Sequence, residues 1–430
     1  MHLRLILTLA CWCTLPGSDP AMFRGGPRHL GVYDSAPVAL DKVLWSFQTA
    51  GRVVGSPTVA GGRVYVGSTD GRLLALDARS GELRWEFRTG GAVDSTPAVA
   101  GGRVLFGSRD GRFYALDAAT GAEKWRFETG GERRFTAPGI HGAAPRTERM
   151  PDPFDVFLSS PVVDAACVYF GSGDGCIYAL DAATGSLKWR HATGDVVHAS
   201  PALADGRIYV GSWDRNFYAL DAASGKVLWT FATGQDPVLH NQEGIASSAA
   251  VGEGLVFFGC RDGHFYALDA STGKERWRHD NRKGWVIASP ALRDGKVVFP
   301  TSDGTRFKVL DARSGSLLLS LENRAVSFSS PALAGRMAYY GTSDGWLHAV
   351  DLEAGRESAA FQTEGNRQNG PQWLDPTGRM KAGTYPEATL DGMIIGLHRM
   401  FSLGSVLSSP VVADGVLYFG STDGRVYAIR

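Results

Sequence analysis

The chain has 430 residues, and its 44 Lys and Arg balance 44 Asp and Glu, so the formal net charge is zero. No overall field draws it to nucleic acid or to anionic lipid. An apolar content of 44% fits a globular chain, and after the first residues no run of about 20 apolar residues could span a bilayer. Length alone suggests two or three domains, but a single repeat fills almost the whole chain and leaves room for one.

Residues 1–21 begin MHLRLILTLACWC, where Arg4 and the apolar run Leu5 to Ala10 resemble a short secretory signal. Thr8-Leu9-Ala10-Cys11 partly resembles a bacterial lipoprotein box, although Thr8 stands where Leu is usual. The segment reads as an export signal or lipoprotein leader. Cys11 is the lipidation candidate, and a lipid there is the one expected link to a membrane. Residues 22–41 form an N-terminal extension. The destination implied is the periplasm or outer membrane of a bacterium.

From residue 42 to 430 one sentence of sequence recurs, roughly Ser-Pro-x-Val-x-x-Gly-x-Val-Tyr-x-Gly-Ser-x-Asp-Gly-x-x-Tyr-Ala-Leu-Asp-x-x-Thr-Gly-x-x-x-Trp. Its opening falls at Ser56-Pro57, Thr96-Pro97, Ser160-Pro161, Ser200-Pro201, Ser248-Ala249, Ser289-Pro290, Ser330-Pro331 and Ser409-Pro410. A repeat of about 40 residues with four β segments predicts a β-propeller, here all-β with eight four-stranded antiparallel blades. In the first repeat, strand A is Pro57 to Ala60, strand B Arg63 to Gly67 and strand C Arg72 to Asp77, while strand D carries Trp85. Asp70-Gly71 predicts a type I′ hairpin between B and C. Strand C, as in Phe113-Tyr114-Ala115-Leu116-Asp117, is apolar on both faces, so each blade is packed between two neighbours.

The strand D tryptophan recurs at Trp45, Trp85, Trp125, Trp189, Trp229 and Trp277, and gives way to Leu319 and Ala359. Such a stripe is structural and predicts packing between blades. The Asp before each Ser/Thr-Gly turn is expected to order that turn and to dock on a neighbouring blade. The last repeat stops at Arg430 without a strand D, and the chain opens with a strand D around Trp45 that has no A to C before it. The N-terminal strand should therefore complete the last blade and leave no open edge.

Three places break the spacing, each between a strand D and the next strand A: residues 131–158, 235–244 and 364–407. In an up-and-down meander these connections emerge on the face that carries the Asp-Gly turns, so the insertions should crowd one mouth of the central channel. They offer Arg133, Arg134, Phe135, His141, His240, Asn241, Gln242, Arg367, Trp373 and His398 as candidate ligand- or partner-facing residues. Residues 390–403 carry Met393, Ile394, Leu397, Met400 and Phe401 at helical spacing. That helix either caps the ring with its apolar face down or offers a docking face. Two smaller breaks occur. Trp213-Asp214-Arg215-Asn216 lacks the usual glycine, which implies a reshaped turn with Trp213 on the same face. The sixth repeat gains one residue between Asp303 and Asp311, read as a bulge.

Zinc spacing, a phosphate loop and a nucleophile elbow are all absent from the sequence, so no catalytic or metal residue is assigned. His141, His240 and His398 fall one in each insertion and would approach one another only if the insertions converge. Cys167 and Cys176 start the two strands of one hairpin at offsets that keep them from facing each other; with Cys260 they read as free thiols.

The motif Ala-Leu-Asp-Ala-Ala-Thr-Gly-x-x-x-Trp, as at 115–125, 179–189 and 219–229, resembles the tryptophan-docking motif of the quinoprotein alcohol dehydrogenase-like family of eight-bladed propellers. The resemblance covers residues 42 to 430. One branch of that family binds pyrroloquinoline quinone (PQQ) with Ca²⁺ and oxidises alcohols or sugars. Another keeps the ring without the cofactor, as in the lipoprotein subunit of the bacterial outer-membrane barrel assembly machinery. The dehydrogenases carry adjacent cysteines against the quinone, and this chain has no such pair. The sequence expectation is thus a non-catalytic scaffold of the cell envelope, monomeric and without cofactor, presenting its insertion-bearing face to a protein partner or small ligand. The alternative is a PQQ-dependent oxidoreductase with a divergent site.

Overall fold

The computed structural model describes residues 21–282 and 284–430; the leader with Cys11 lies outside them. Eight four-stranded antiparallel sheets follow one another around an axis. Blade 1 is Thr58–Ala60, Arg63–Ser68, Arg72–Asp77 and Leu83–Arg88, in the order A to D. Strand C is buried along its centre in every blade but the sixth, where Lys308 is half-buried, because neighbouring sheets cover both faces. The eighth blade is completed by Val43–Gln48, which pairs antiparallel with Arg425–Ile429 and sets Trp45 opposite Ala428. Blade 7 gains a short parallel strand, Val32–Tyr33, on its inner edge.

The repeat's residues now have separate physical reasons. The Thr-Gly glycine must lack a side chain because the tryptophan of the preceding blade lies on it. A Cβ on Gly185 would fall 2.5 Å from Trp125, and one on Gly225 2.6 Å from Trp189. The indole N–H then donates to the backbone of the glycine's blade, as Trp189 does to Ala222 O (2.8 Å) and Trp45 to Ala78 O (3.0 Å). The preceding Asp orders its own turn: Asp117 Oδ1 accepts from the amides of Ala119 and Thr120. It does not dock on a neighbour. Its other oxygen pairs within the blade, with Lys124 at 3.1 Å, and the cross-blade contact belongs to the Trp and Gly.

Gly225→Ala should cost about 1–2 kcal/mol in left-handed backbone strain and a further ~1–3 kcal/mol for overpacking. Gly206 has the same φ, +71° against +70°, with open space around its Cβ position. Gly206→Ala should therefore lose only the first part. Denaturant midpoints of the two variants, if equal, would remove the docking argument.

Three turn expectations need correction. The B–C turns are not type I′: only Gly71 is at positive φ and its amide bonds Ser68 O, while Asp70 is not. The pairs of positive φ lie in the A–B hairpins, as at Gly61-Gly62 and Asp294-Gly295. The turn at Trp213-Asp214-Arg215-Asn216 is not reshaped, since Arg215 itself takes φ +73° and bonds Ser212 O like the glycines elsewhere. The extra residue of the sixth repeat is not a strand bulge. The ladder runs unbroken to Pro300 opposite Phe307, and the turn beyond it is lengthened, with Thr305 at φ +41°.

The Ser of each Ser-Pro forms a belt around the axis. The amide at each position donates to the hydroxyl at the same position in the next blade: Ser56 to Thr96, Thr96 to Ser160, and so on to Ser330 to Ser409 and Ser409 back to Ser56. The eight bonds are 2.8–3.2 Å long and buried. Each satisfies an amide that Pro-led inner strands would otherwise leave unpaired at the axis.

At the far mouth, residues 21–40 run as a strap over the inner strands. Ala21 pairs with Val99, and the carbonyls of Pro27, Arg28, Leu30 and Gly31 accept from Leu203, Val251, Leu292 and Leu333. Arg24 is buried and donates to Pro290 O and Pro331 O, while Phe23 enters the axial cavity.

Candidate functional site

The face that carries the B–C turns is where the insertions meet. The His141 amide donates to Leu239 O (2.8 Å) and its Nδ1 lies 2.6 Å from Asn241 Oδ1, joining the first insertion to the second. Ala144 bridges to Thr389 and joins the first to the third. Helix α2, Leu390–Ser402, starts at Thr389, whose hydroxyl accepts from the Gly392 amide (3.0 Å), with Asp391 in its first turn. Its apolar side points down: Leu397, Met400 and Phe401 pack on Val54, Ile287, Phe328 and Leu407 from the D–A connections around the mouth. Of the two expected roles for this helix, the structure shows the cap. A second helix, α1 at Glu364–Trp373, was not foreseen. Two glycines and Pro371 hide its period, and it is seated by the Gly365 amide on Asp423 (3.0 Å) and by Asn366 on Asp344 O.

Under the cap lies a buried charged core. Arg261 is sandwiched between Trp285 and Trp213, its guanidinium 3.9 and 4.7 Å from the ring centres. Asp152 pairs with Arg261 and lies 2.9 Å from His141 Nε2. Burial alone would raise the Asp152 carboxyl, but Arg261 and then His141 hold it below the usual carboxylate range. Phe135 stacks on Trp213 at 4.8 Å. Beside this, His198 sits between Asp155 (2.6 Å) and Glu132 (3.3 Å). Burial disfavours its charge, yet Asp155 and Glu132 outweigh that and raise its pKa to about 9. Glu132 also caps the third blade's turn through Ser172 and the Gly173 amide.

The sign of this shift gives a pH prediction. With a folded value of about 9 against 6.5, His198 stabilises fully below pH 6.5 and loses that contribution, on the order of 3 kcal/mol, as pH rises through 9. His29, a buried residue of the strap, is lowered to about 3 by burial and then by Arg24. Its contribution is full above pH 6.5 and falls away as pH drops. Stability should peak near neutrality, and His198→Gln should flatten only the alkaline side; an unaltered alkaline slope in urea titrations would contradict the assignment.

The candidate residues divide by depth. Phe135, His141 and Trp213 were expected on the outer face, but they are buried and build the cap's interior. His141 and His240 have separate partners, the latter Glu243 at 2.6 Å, and His398 stays on the exposed side of α2. Among the described residues, no three His, Cys, Asp or Glu side chains group as metal ligands. Arg133 is exposed and pairs with Asp195 (2.8 Å), and Arg134 is exposed. Asn241 and Gln242 are half-buried. Arg367 lies over Phe361 and Trp373 beneath Arg399. Cys167, Cys176 and Cys260 are free thiols, and Cys167 faces Asp181 rather than Cys176. Sequence reasoning missed Glu132, Asp152, Asp155, His198 and Arg261. Arg261 had a signal: it occupies the variable position before Asp-Gly, where Arg109 and Trp213 also turn toward the cap.

The axis itself is nearly filled. Between the cap and Phe23 a cavity of about 50 Å³ remains, lined by the hydroxyl belt, Asp94 and His198. Asp94 is engaged by Arg109 (2.5 Å). Fold and site together define a propeller of the PQQ-repeat class with both mouths of its channel covered.

The family model described as outer membrane protein assembly factor BamB matches residues 35–145, 141–246 and 239–381, and the chain belongs to that family. Among solved structures it is similar to BamB from Moraxella catarrhalis, with 18% identity over 90% of this chain and 96% of that one and a TM-score of 0.64. It is equally similar to a quinohemoprotein alcohol dehydrogenase from Comamonas testosteroni, with 16% identity over 94% and 79% and a TM-score of 0.67. A computationally designed protein, Ika8, reaches 19% over 90% and 99%, with a TM-score of 0.65. At these identities the likeness is one of fold. No curated protein matches the chain.

Proposed function

We propose that this protein is a non-catalytic, monomeric binding scaffold of the bacterial cell envelope that engages a protein partner through the outer surface of its insertion-built cap. The observation that carries this reading is the cap itself. The three insertions meet in one surface, the first anchored by buried ion pairs to Arg261 and His198 and joined to the others by hydrogen bonds and the Ala144–Thr389 bridge, yet that surface leaves Val238 70%, Ile395 42% and Leu239 37% exposed. Large apolar side chains held out on a rigid base suit a protein contact. The family description, an outer membrane protein assembly factor, supports the envelope setting. Among the described residues no helix is long and apolar enough to cross a membrane.

The residues at the axis do not suit PQQ and Ca²⁺. A cavity of about 50 Å³ has room for a few waters rather than a tricyclic quinone. Its carboxylate gives Oδ2 to Arg109, with the buried Oδ1 alone left without a partner among the described residues, and its histidine is held by two acidic neighbours. This supports the scaffold over the oxidoreductase.

In-cell crosslinking tests the proposal. Val238→Asp with Ile395→Asp should abolish an adduct that the unaltered chain forms, without lowering its melting temperature. An adduct that persists in the variant, or stoichiometric PQQ binding with alcohol turnover, would overturn it.

A further inference from the structure

We infer that the slot between blades 5 and 6 is a binding site for a small molecule bearing a phosphate or carboxylate oxyanion. Between blades 4 and 5, Phe231 packs edge-on against Tyr266 at 5.4 Å. The Tyr266 hydroxyl donates to Asp262 (2.6 Å), and Asp262 also accepts from the Gly234 amide (2.8 Å). The slots at Tyr114, Tyr178, Tyr218 and Tyr427 repeat the bond from tyrosine to turn aspartate. In each an aromatic ring covers the turn carboxylate, although between blades 4 and 5 a cavity of about 350 Å³ still lies against Phe231, Asp262 and Tyr266.

Between blades 5 and 6 the same positions hold His279 and Lys308, and the plug is gone. A cavity of about 540 Å³ opens there, lined also by Asn281, Arg282, Arg306 and the turn at Thr301 to Gly304. The half-buried Lys308 ammonium donates to Asn281 Oδ1 (2.8 Å) and lies 3.2 Å from His279 Nε2. The Arg282 amide, at the place of Gly234, donates to Asp280 instead of to a turn aspartate. The lengthened turn at Thr305 accompanies this change.

The charge in the slot is thereby reversed. Lys308, Arg282 and Arg306 converge on the cavity, and none of the three forms an ion pair among the described residues. Asp280 and Asp303 line it too, so the cations outnumber the carboxylates there. Burial and then the two arginines push the Lys308 ammonium below its ordinary pKa, and Asp280 offsets them only in part, so the cluster is short of counter-charge. A bound oxyanion would supply it, with two guanidinium forks suited to oxygen pairs and an ammonium as a point charge.

Calorimetric titration of the purified full-length chain with inorganic phosphate, pyrophosphate and citrate tests this. Saturable one-to-one binding of at least one probe is expected, weakened at least tenfold by Lys308→Tyr, which rebuilds the plugged slot, and retained in Lys308→Arg. Should Lys308→Tyr fail to fold, Arg282→Gln with Arg306→Gln must show the same loss. No saturable binding by any probe, or binding unchanged in these variants, would overturn the inference. Binding of phosphate and pyrophosphate but not citrate would identify a phosphate ligand, and the reverse a carboxylate one.

Discussion

A chain beginning at residue 49 is expected to lose cooperative folding, whereas one beginning at residue 42 should keep it at a reduced melting temperature. The first lacks both the strap and Val43–Gln48; the second lacks only the strap. The closing strand provides all the pairing on one edge of Arg425–Ile429 and buries Trp45 against blade 1. Loss of such a tryptophan alone costs about 3–5 kcal/mol. The ladder of the eighth blade and the seal between blades 8 and 1 go with it. Against a total stability of roughly 5–15 kcal/mol, that sum leaves little. Thermal unfolding of the two chains decides, and equal midpoints would mean the ring does not depend on its closure.

Asp152→Ala should be the most damaging single substitution in the cap. It leaves Arg261, 1% exposed at its side chain, charged and without its carboxylate, a situation that costs about 3–5 kcal/mol. Replacing both partners, Asp152→Leu with Arg261→Met, should recover much of the loss, because two buried charges then leave together. A double-mutant cycle measures the coupling. A single-variant cost below about 1 kcal/mol would place the pair in the weak, surface-like class and remove it as the fastening of the first insertion.

The fold was legible because the repeat is written in short-range terms: turn glycines, apolar strands and a missing last strand that pointed to Trp45. The convergence of the insertions followed from connection geometry. What escaped was long-range. Asp152 and Arg261 are 109 positions apart, and nothing local marks them as partners. The hydroxyl belt was visible as eight Ser or Thr residues before Pro or Ala, but its bonds run between blades and each copy alone looks like a strand boundary. Helix α1 stayed hidden because its residues are fixed by contacts to Asp344 and Asp423 rather than by an apolar stripe. Placing Phe135, His141 and Trp213 on the outer face failed for the same reason: facing the channel mouth was inferred correctly, but the insertions fold over one another and bury them.

The seam also has a consequence in time. Ser35 bonds Gly415 across 380 positions, and Gln48 bonds Asp423 across 375. The first strand to be made must wait for the last, on the order of tens of seconds at ordinary rates of synthesis. The strap cannot seat until blades 2 to 8 exist. During that delay Val43–Gln48 is an unpaired strand and the end blades of an open fan leave apolar faces uncovered, the condition in which foreign chains add. The ring's closure is thus the final act of assembly, and the step at which a chaperone would have most to protect.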